Sequence, residues 1–127
     1  VPNYNLETGL HEEHNRRELM KDSTDLQLSH EMFYEDVCYF DKVVSRQVEL
    51  LNSENIGVRV DYPDFTSLGV WQAKDAPFLC IEPWCGSADF DDCSGVFAEK
   101  RGIEILAPGA EKTFTYAITA VEHKAKV

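Results

Sequence analysis

Between Gln47 and Tyr62 apolar and polar residues alternate, and this period of two constrains the fold more than any other feature of the chain. In Gln47-Val48-Glu49-Leu50 every second residue is apolar, and in Ile56-Gly57-Val58-Arg59-Val60-Asp61-Tyr62 the alternation is strict. Successive side chains of an extended strand point to opposite faces, so such a segment buries one face and wets the other. Asn52-Ser53-Glu54-Asn55 supplies turn residues between the two runs, which predicts an antiparallel β-hairpin.

The same reading extends in both directions. Pro63-Asp64 interrupts the alternation, Ser67-Leu68-Gly69-Val70-Trp71 resumes it, and Lys74-Asp75-Ala76-Pro77 interrupts it again. The run Phe78-Leu79-Cys80-Ile81 is apolar on both faces and predicts a strand in the middle of a covered sheet, with Cys80 as a small buried hydrophobe. Upstream, residues 36–40 read as a strand, preceded by one helical turn capped by Ser29. Downstream, 87–95 reads as an acidic loop, 103–106 as a short strand, Pro108-Gly109 as a turn and 114–119 as a last alternating strand. The expected architecture is all-β and antiparallel, a sandwich. Residues 28–121 form its strand-rich core and 122–127 a frayed tail. Residues 1–27 are a charged, polar excursion in which periodicity does not separate a short solvated helix from irregular chain.

A chain of 127 residues is the size of one domain, and 43% hydrophobic and 11% aromatic residues suffice for a core. The net charge of −11 repels phosphate backbones and anionic lipid, so neither nucleic acid nor membrane is an expected partner. No apolar run approaches the roughly 20 residues of a membrane helix, and Val-Pro-Asn-Tyr-Asn at the start lacks the pattern of a secretion signal. The four cysteines, at 38, 80, 85 and 93, form no C-x-x-C pair, which argues against a structural metal and for free thiols in a cytoplasmic protein. Asp89, Asp91 and Asp92 lack the register of a calcium loop and read as a solvated turn. The absence of Met at position 1 fits a segment of a longer chain.

Glu82 follows the apolar run, on the same side as Phe78 and Cys80. Partial desolvation there makes its carboxylate a general-base candidate, Pro83 turns the chain away, and Trp84 sets an aromatic ring beside the acid. A carboxylate beside an aromatic face suits a sugar, whose C–H face stacks while its hydroxyls meet the acid. On local pattern alone the plainer reading, a strand-end glutamate paired with a cation such as Arg59 or left in solvent, is the stronger one.

Wider motifs change that balance. Trp71-Gln72, then Ala76-Pro77-Phe78-Leu79-Cys80-Ile81-Glu82-Pro83-Trp84-Cys85-Gly86-Ser87-Ala88-Asp89, then Glu99-Lys100-Arg101-Gly102-Ile103 and Leu106-Ala107-Pro108-Gly109, stand in order. They follow Gly57-Val58-Arg59-Val60-Asp61-Tyr62-Pro63-Asp64-Phe65 and Leu68-Gly69-Val70-Trp71. This series resembles the closing stretch of the aldose 1-epimerase (galactose mutarotase-like) family, in its LacX-like branch, over roughly residues 28–118. The resemblance implies the C-terminal part of an antiparallel β-supersandwich that interconverts α and β anomers of an aldohexose. Glu82 matches the family's general base on the anomeric hydroxyl. Asp36 matches an aspartate that contacts sugar hydroxyls, although a solvated strand-start carboxylate is an equal reading, and Trp84 and Trp71 are candidates to line the cleft. For Trp71, core packing is the plainer account. Only protons move, so no cofactor is implied.

The family's general acid is a histidine that lies before this segment, in the N-terminal portion of the same fold. His11, His14, His30 and His123 match no such motif and read as surface histidines. A carbohydrate-binding module of the same fold, without turnover, is the competing expectation.

Overall fold

Residues 1–124 are described by a computed structural model, and among them every regular element is a strand or a short 3-10 turn. The strands are β1 (Pro2–Asn5), β2 (Leu10–Arg16), β3 (Cys38–Phe40), β4 (Gln47–Leu51), β5 (Ile56–Asp61), β6 (Ser67–Trp71), β7 (Cys80–Trp84) and β8 (Ala117–Glu122). They pair antiparallel as a hairpin β1-β2 and two three-stranded sheets, ordered β3-β6-β7 and β4-β5-β8. The fold is all-β, and its layering is consistent with a sandwich.

The alternating run from Gln47 forms the hairpin that its pattern predicts. Val48 faces Val60 and Leu50 faces Val58 across β4 and β5. Asn52 organises the turn: its Oδ1 accepts from the backbone N–H of Glu54 at 2.9 Å and of Ile56 at 3.0 Å. Gly57 cannot be larger, since a Cβ there would lie 1.8 Å from the Leu50 carbonyl oxygen.

β6 is the axis of the second sheet. Its residues 67–70 are buried, and alternation along it separates two apolar clusters. One face presents Leu68 and Val70, beside Cys38 of β3 and Ile81 of β7, to Phe33, Val60 and Tyr62. This is the main core between the two sheets, where each fully buried large apolar side chain contributes about 1.5–3 kcal/mol. The other face carries Tyr39, Gly69, Trp71 and Trp84, which pack with Val37 and Phe90.

Several expectations are corrected. β7 lies at an edge of its sheet and not in the middle. The strand begins at Cys80, and Phe78 is exposed, because β6 ends at Trp71, opposite Cys80, and offers no partner to the residues before it. Pro83 does not turn the chain away: it stays in register opposite Leu68, as an edge strand permits. Cys80 is half-buried, whereas Cys38 is the fully buried thiol. No strand forms at 103–106, where Ile105 and Leu106 are exposed and have no neighbouring strand among the described residues. The last strand starts at Ala117 and not at 114, because its partner β5 stops at Asp61. Phe114 instead packs on Phe65, with ring centroids 5.5 Å apart, and the Thr115 N–H bonds Asp64 Oδ2 at 2.7 Å. Strand β8 runs to Glu122 in the segment expected to fray, and residues 125–127 lie outside the described ones. Ser29 precedes the 3-10 turn His30–Phe33 as expected, without a side-chain cap bond.

The segment 1–27 departs most from its reading. Residues 2–16 form the β1-β2 hairpin, closed by an Asn5 turn in which Oδ1 accepts from the N–H of Glu7 and Thr8 and Gly9 adopts φ +72°. Periodicity missed it because the side chain that β2 buries most fully is a histidine.

The Gly57 contact sets a test of the hairpin. Gly57→Ala is expected to lower unfolding stability by about 3 kcal/mol, read from denaturant midpoints, because backbone must move to admit the methyl.

Candidate functional site

Four residues that sequence reasoning selected lie on one cleft of about 190 Å³: Asp36, Trp71, Glu82 and Trp84. Tyr4, His11, Val37 and Ala88 complete its lining. Strand pairing explains the convergence. Glu82 stands opposite Gly69, Trp71 opposite Cys80, and Tyr39 opposite Gly69 from the other side, so all belong to the face of the sheet turned away from the main core. Cys80, Glu82 and Trp84 share that face by alternation.

Gly69 makes room for the aromatic wall. A Cβ on it would meet the Trp84 ring at 3.0 Å and a Val37 methyl at 3.3 Å, so the indole lies directly over the backbone of β6. Tyr39 continues the wall, its ring centroid 5.3 Å from that of Trp84. Trp71 is half-buried, packs against the Val37, Tyr39 and Phe90 cluster, and meets Phe78 at 6.2 Å. It therefore belongs both to the packing and to the cleft.

Asp36 reaches the cleft through a left-handed backbone, φ +75°, a conformation that aspartate tolerates better than most residues. Its Oδ1 accepts the N–H of Val37 at 2.6 Å, which locks the carboxylate at the entry to β3. Glu82 is not neutralised by Arg59, whose Nε donates to Asp61 Oδ2 at 2.9 Å in the other sheet. Burial first, and then the charge of Glu82, push the Cys80 thiol above its ordinary value, which places the thiol beside the carboxylate.

His11 corrects the reading of the histidines. It is 0% exposed, in the wall of this cleft and not on the surface. Its ring stacks on Tyr39 at 4.8 Å, meets Tyr4 edge-on at 5.3 Å and Phe90 at 5.1 Å. Its backbone is fixed by the loop after β7, with its N–H donating to the Asp89 carbonyl at 2.8 Å and its carbonyl accepting from the Asp91 N–H at 2.9 Å. Among the described residues neither ring nitrogen has a hydrogen-bond partner. Each such buried group costs about 1–3 kcal/mol when unsatisfied. Burial, opposed by the charges of Asp41 and Asp36, lowers the pKa of His11 below its ordinary value. The signal available in sequence was the Asn5 and Gly9 turn, which folds Tyr4 against His11. The other histidines fit the surface reading: His14 and His30 are exposed, and His123 pairs with Glu49 at 2.9 Å.

The acidic loop is held by cations of this chain. Asp92 pairs with Arg101 at 2.6 Å, Asp89 with Lys100 at 3.1 Å, and Asp91 Oδ1 accepts the Glu13 N–H at 3.0 Å. Arg101 also bonds Glu13 at 2.7 Å, holding that carboxyl below its ordinary range, and lies 4.1 Å from the Phe90 ring. These contacts clamp the loop onto β2 behind His11. A larger recess of about 300 Å³ runs along the same loop, away from Glu82.

Two curated relatives from Lactococcus lactis subsp. lactis, the chromosomal and the plasmid Protein LacX, are each 28% identical over 121 residues. LacX proteins are homologues of this chain. The alignment covers 94% of the chain and 40% of each LacX, so the chain spans about two fifths of their length. No family model and no solved structure matches it. No helix among the described residues is long and apolar enough to cross a membrane.

Two titrations test the site. At about pH 8, Glu82→Gln is expected to speed alkylation of Cys80, followed by peptide mass spectrometry, because removing the neighbouring negative charge favours the thiolate. For His11, whose value is lowered in the fold, the unfolded chain takes up a proton below about 6.5 that the folded one resists. Stability is therefore lost as pH falls through that point. The Tm of His11→Phe is expected to drop less than that of the wild type between about pH 7 and pH 5.

Proposed function

We propose that this chain contributes the C-terminal strands and the general base of a mutarotase-like protein that interconverts the α and β anomers of an aldose. The observation that carries this reading is the meeting of Asp36, Trp71, Glu82 and Trp84 on one cleft, in a chain whose homologues are LacX proteins. Residues selected from their resemblance to one family, and spread over nearly fifty positions, meet on one surface that includes two carboxylates.

The chemistry follows from the parts. Glu82 removes the proton of the anomeric hydroxyl, and a proton supplied to the ring oxygen allows the C1–O bond to open to the aldehyde. Rotation about C1–C2 and reclosure on the other face return the proton and give the second anomer. The proton donor to the ring oxygen is assigned to a residue outside this chain. Asp36 accepts hydroxyl hydrogens, and Trp84 with Trp71 offers aromatic surface to the C–H face of the sugar. The chemistry calls for no cofactor.

The test uses the natural protein in which this segment occurs. Wild type is expected to speed equilibration of α and β D-galactose or D-glucose, followed by polarimetry, and Glu82→Gln to slow it at least about 100-fold. An unchanged rate in the variant overturns the assignment of the base. Sugar binding by a wild type that does not accelerate equilibration is the outcome that selects the carbohydrate-binding module instead.

A further inference from the structure

The β1-β2 hairpin brings to the cleft a residue that neither strand periodicity nor the family resemblance selects. Tyr4 lines the same cleft as Asp36 and Glu82, and it carries the one hydroxyl among the lining residues. It stands opposite His11 in the register of the hairpin, with its ring edge-on to the buried imidazole at 5.3 Å. The turn that follows is held by Asn5, whose Oδ1 accepts from the N–H of Glu7 and Thr8 and whose carbonyl accepts the Gly9 N–H at 2.8 Å. The ring is thus placed by its packing while the hydroxyl stays open. Tyr4 is half-buried, its hydroxyl has no hydrogen-bond partner among the described residues, and that oxygen is not sealed in as the unpartnered Tyr62 hydroxyl is. Gly9 keeps one side clear: apart from its chain neighbours, a Cβ there would meet nothing within 4 Å but the Tyr4 hydroxyl oxygen, at 3.7 Å.

Resting on the sugar reading of this cleft, we propose that Tyr4 is a ligand-binding residue whose phenolic hydroxyl hydrogen-bonds one hydroxyl of a bound monosaccharide. When ionised, Asp36 and Glu82 only accept hydrogen bonds. They hold a sugar hydroxyl through its hydrogen and leave its oxygen in need of a donor, and an oxygen buried without one costs about 1–3 kcal/mol. The nitrogens of His11 cannot serve, because they are fully buried among Tyr4, Tyr39 and Phe90. The neutral donors left in the wall are the Tyr4 hydroxyl and the indole N–H groups of Trp71 and Trp84. An indole only donates, whereas a phenol both donates and accepts, so Tyr4 can meet a sugar hydroxyl in either orientation. An anionic ligand would face both carboxylates, which leaves an uncharged polyol as the matching class.

Tyr4→Phe removes a single oxygen and keeps the ring against His11, so a cycle between protein and ligand isolates the hydroxyl. With the natural protein in which this segment occurs as wild type, binding of D-galactose, D-glucose and their monodeoxy analogues to both forms is measured by NMR titration. Loss of one particular sugar hydroxyl is expected to weaken binding to the wild type roughly five- to tenfold and to leave binding to Tyr4→Phe unchanged. An equal loss in wild type and Tyr4→Phe at every position overturns the proposal. Should Tyr4→Phe fail to fold, the Tyr4 13Cζ resonance of the wild type decides the matter: it shifts on saturation with the parent sugar, and a resonance that stays in place overturns the proposal. The two readings fail separately. A position-specific cycle with an unaffected Glu82→Gln rate removes only the base, a flat cycle with a Glu82→Gln effect removes only Tyr4, and no binding of any parent sugar removes both.

Discussion

The structure depends on β6 being buried from both sides. A strand so placed has to satisfy two apolar surfaces with alternate residues, and 67–70 do so by sending Leu68 and Val70 to the core between the sheets and Gly69 to the other side. Everything on the cleft face inherits its position from that division. Glu82 is opposite Gly69, Trp84 lies across it, and Tyr39 flanks it, so the site residues follow the register that holds the core together. A slip of one residue would exchange the two faces, which ties the geometry of the cleft to the stability of the fold.

Much of this was legible in the sequence where a segment carried its own instructions. The hairpin of β4 and β5 announces itself by alternation and an asparagine-rich turn, and β6 by a short apolar run between two breaks. The shared face of Cys80, Glu82 and Trp84 follows from a period of two, although the extent of β7 did not: Phe78 and Leu79 look like strand but have no residue of β6 to pair with. The same shortage of a partner explains why 103–106 stays irregular and why β8 starts three residues late. Strand pairing is a property of two segments, and a single apolar run cannot report whether its neighbour is long enough.

The hairpin at the start was hidden for a different reason. Hydrophobic periodicity looks for apolar residues on the buried face, and β2 buries a histidine. His11 sits among charges in the sequence, yet the fold places it beneath the Asp89 to Asp91 loop, with Arg101 drawing Glu13 and Asp92 together over the Phe90 ring. Charged neighbours therefore misreport its surroundings: Glu13 pairs with Arg16 and Arg101, Glu12 accepts from Asn5 and Asn15, and the His11 ring beside them is fully buried. Polar residues in strands are most easily misread where the fold buries one of them among aromatic rings.

Gly69 and Trp84 share one volume. Because the indole occupies the space that a Cβ would need, neither position can change alone without disturbing the other. A methyl gained at 69 would stand 3.0 Å from two indole carbons, so the ring would have to give by a few tenths of an ångström, and a larger side chain would demand a larger shift. The aromatic platform and the bare backbone beneath it are thus a single inherited character, and a relative in which one has been replaced should carry a compensating change at the other.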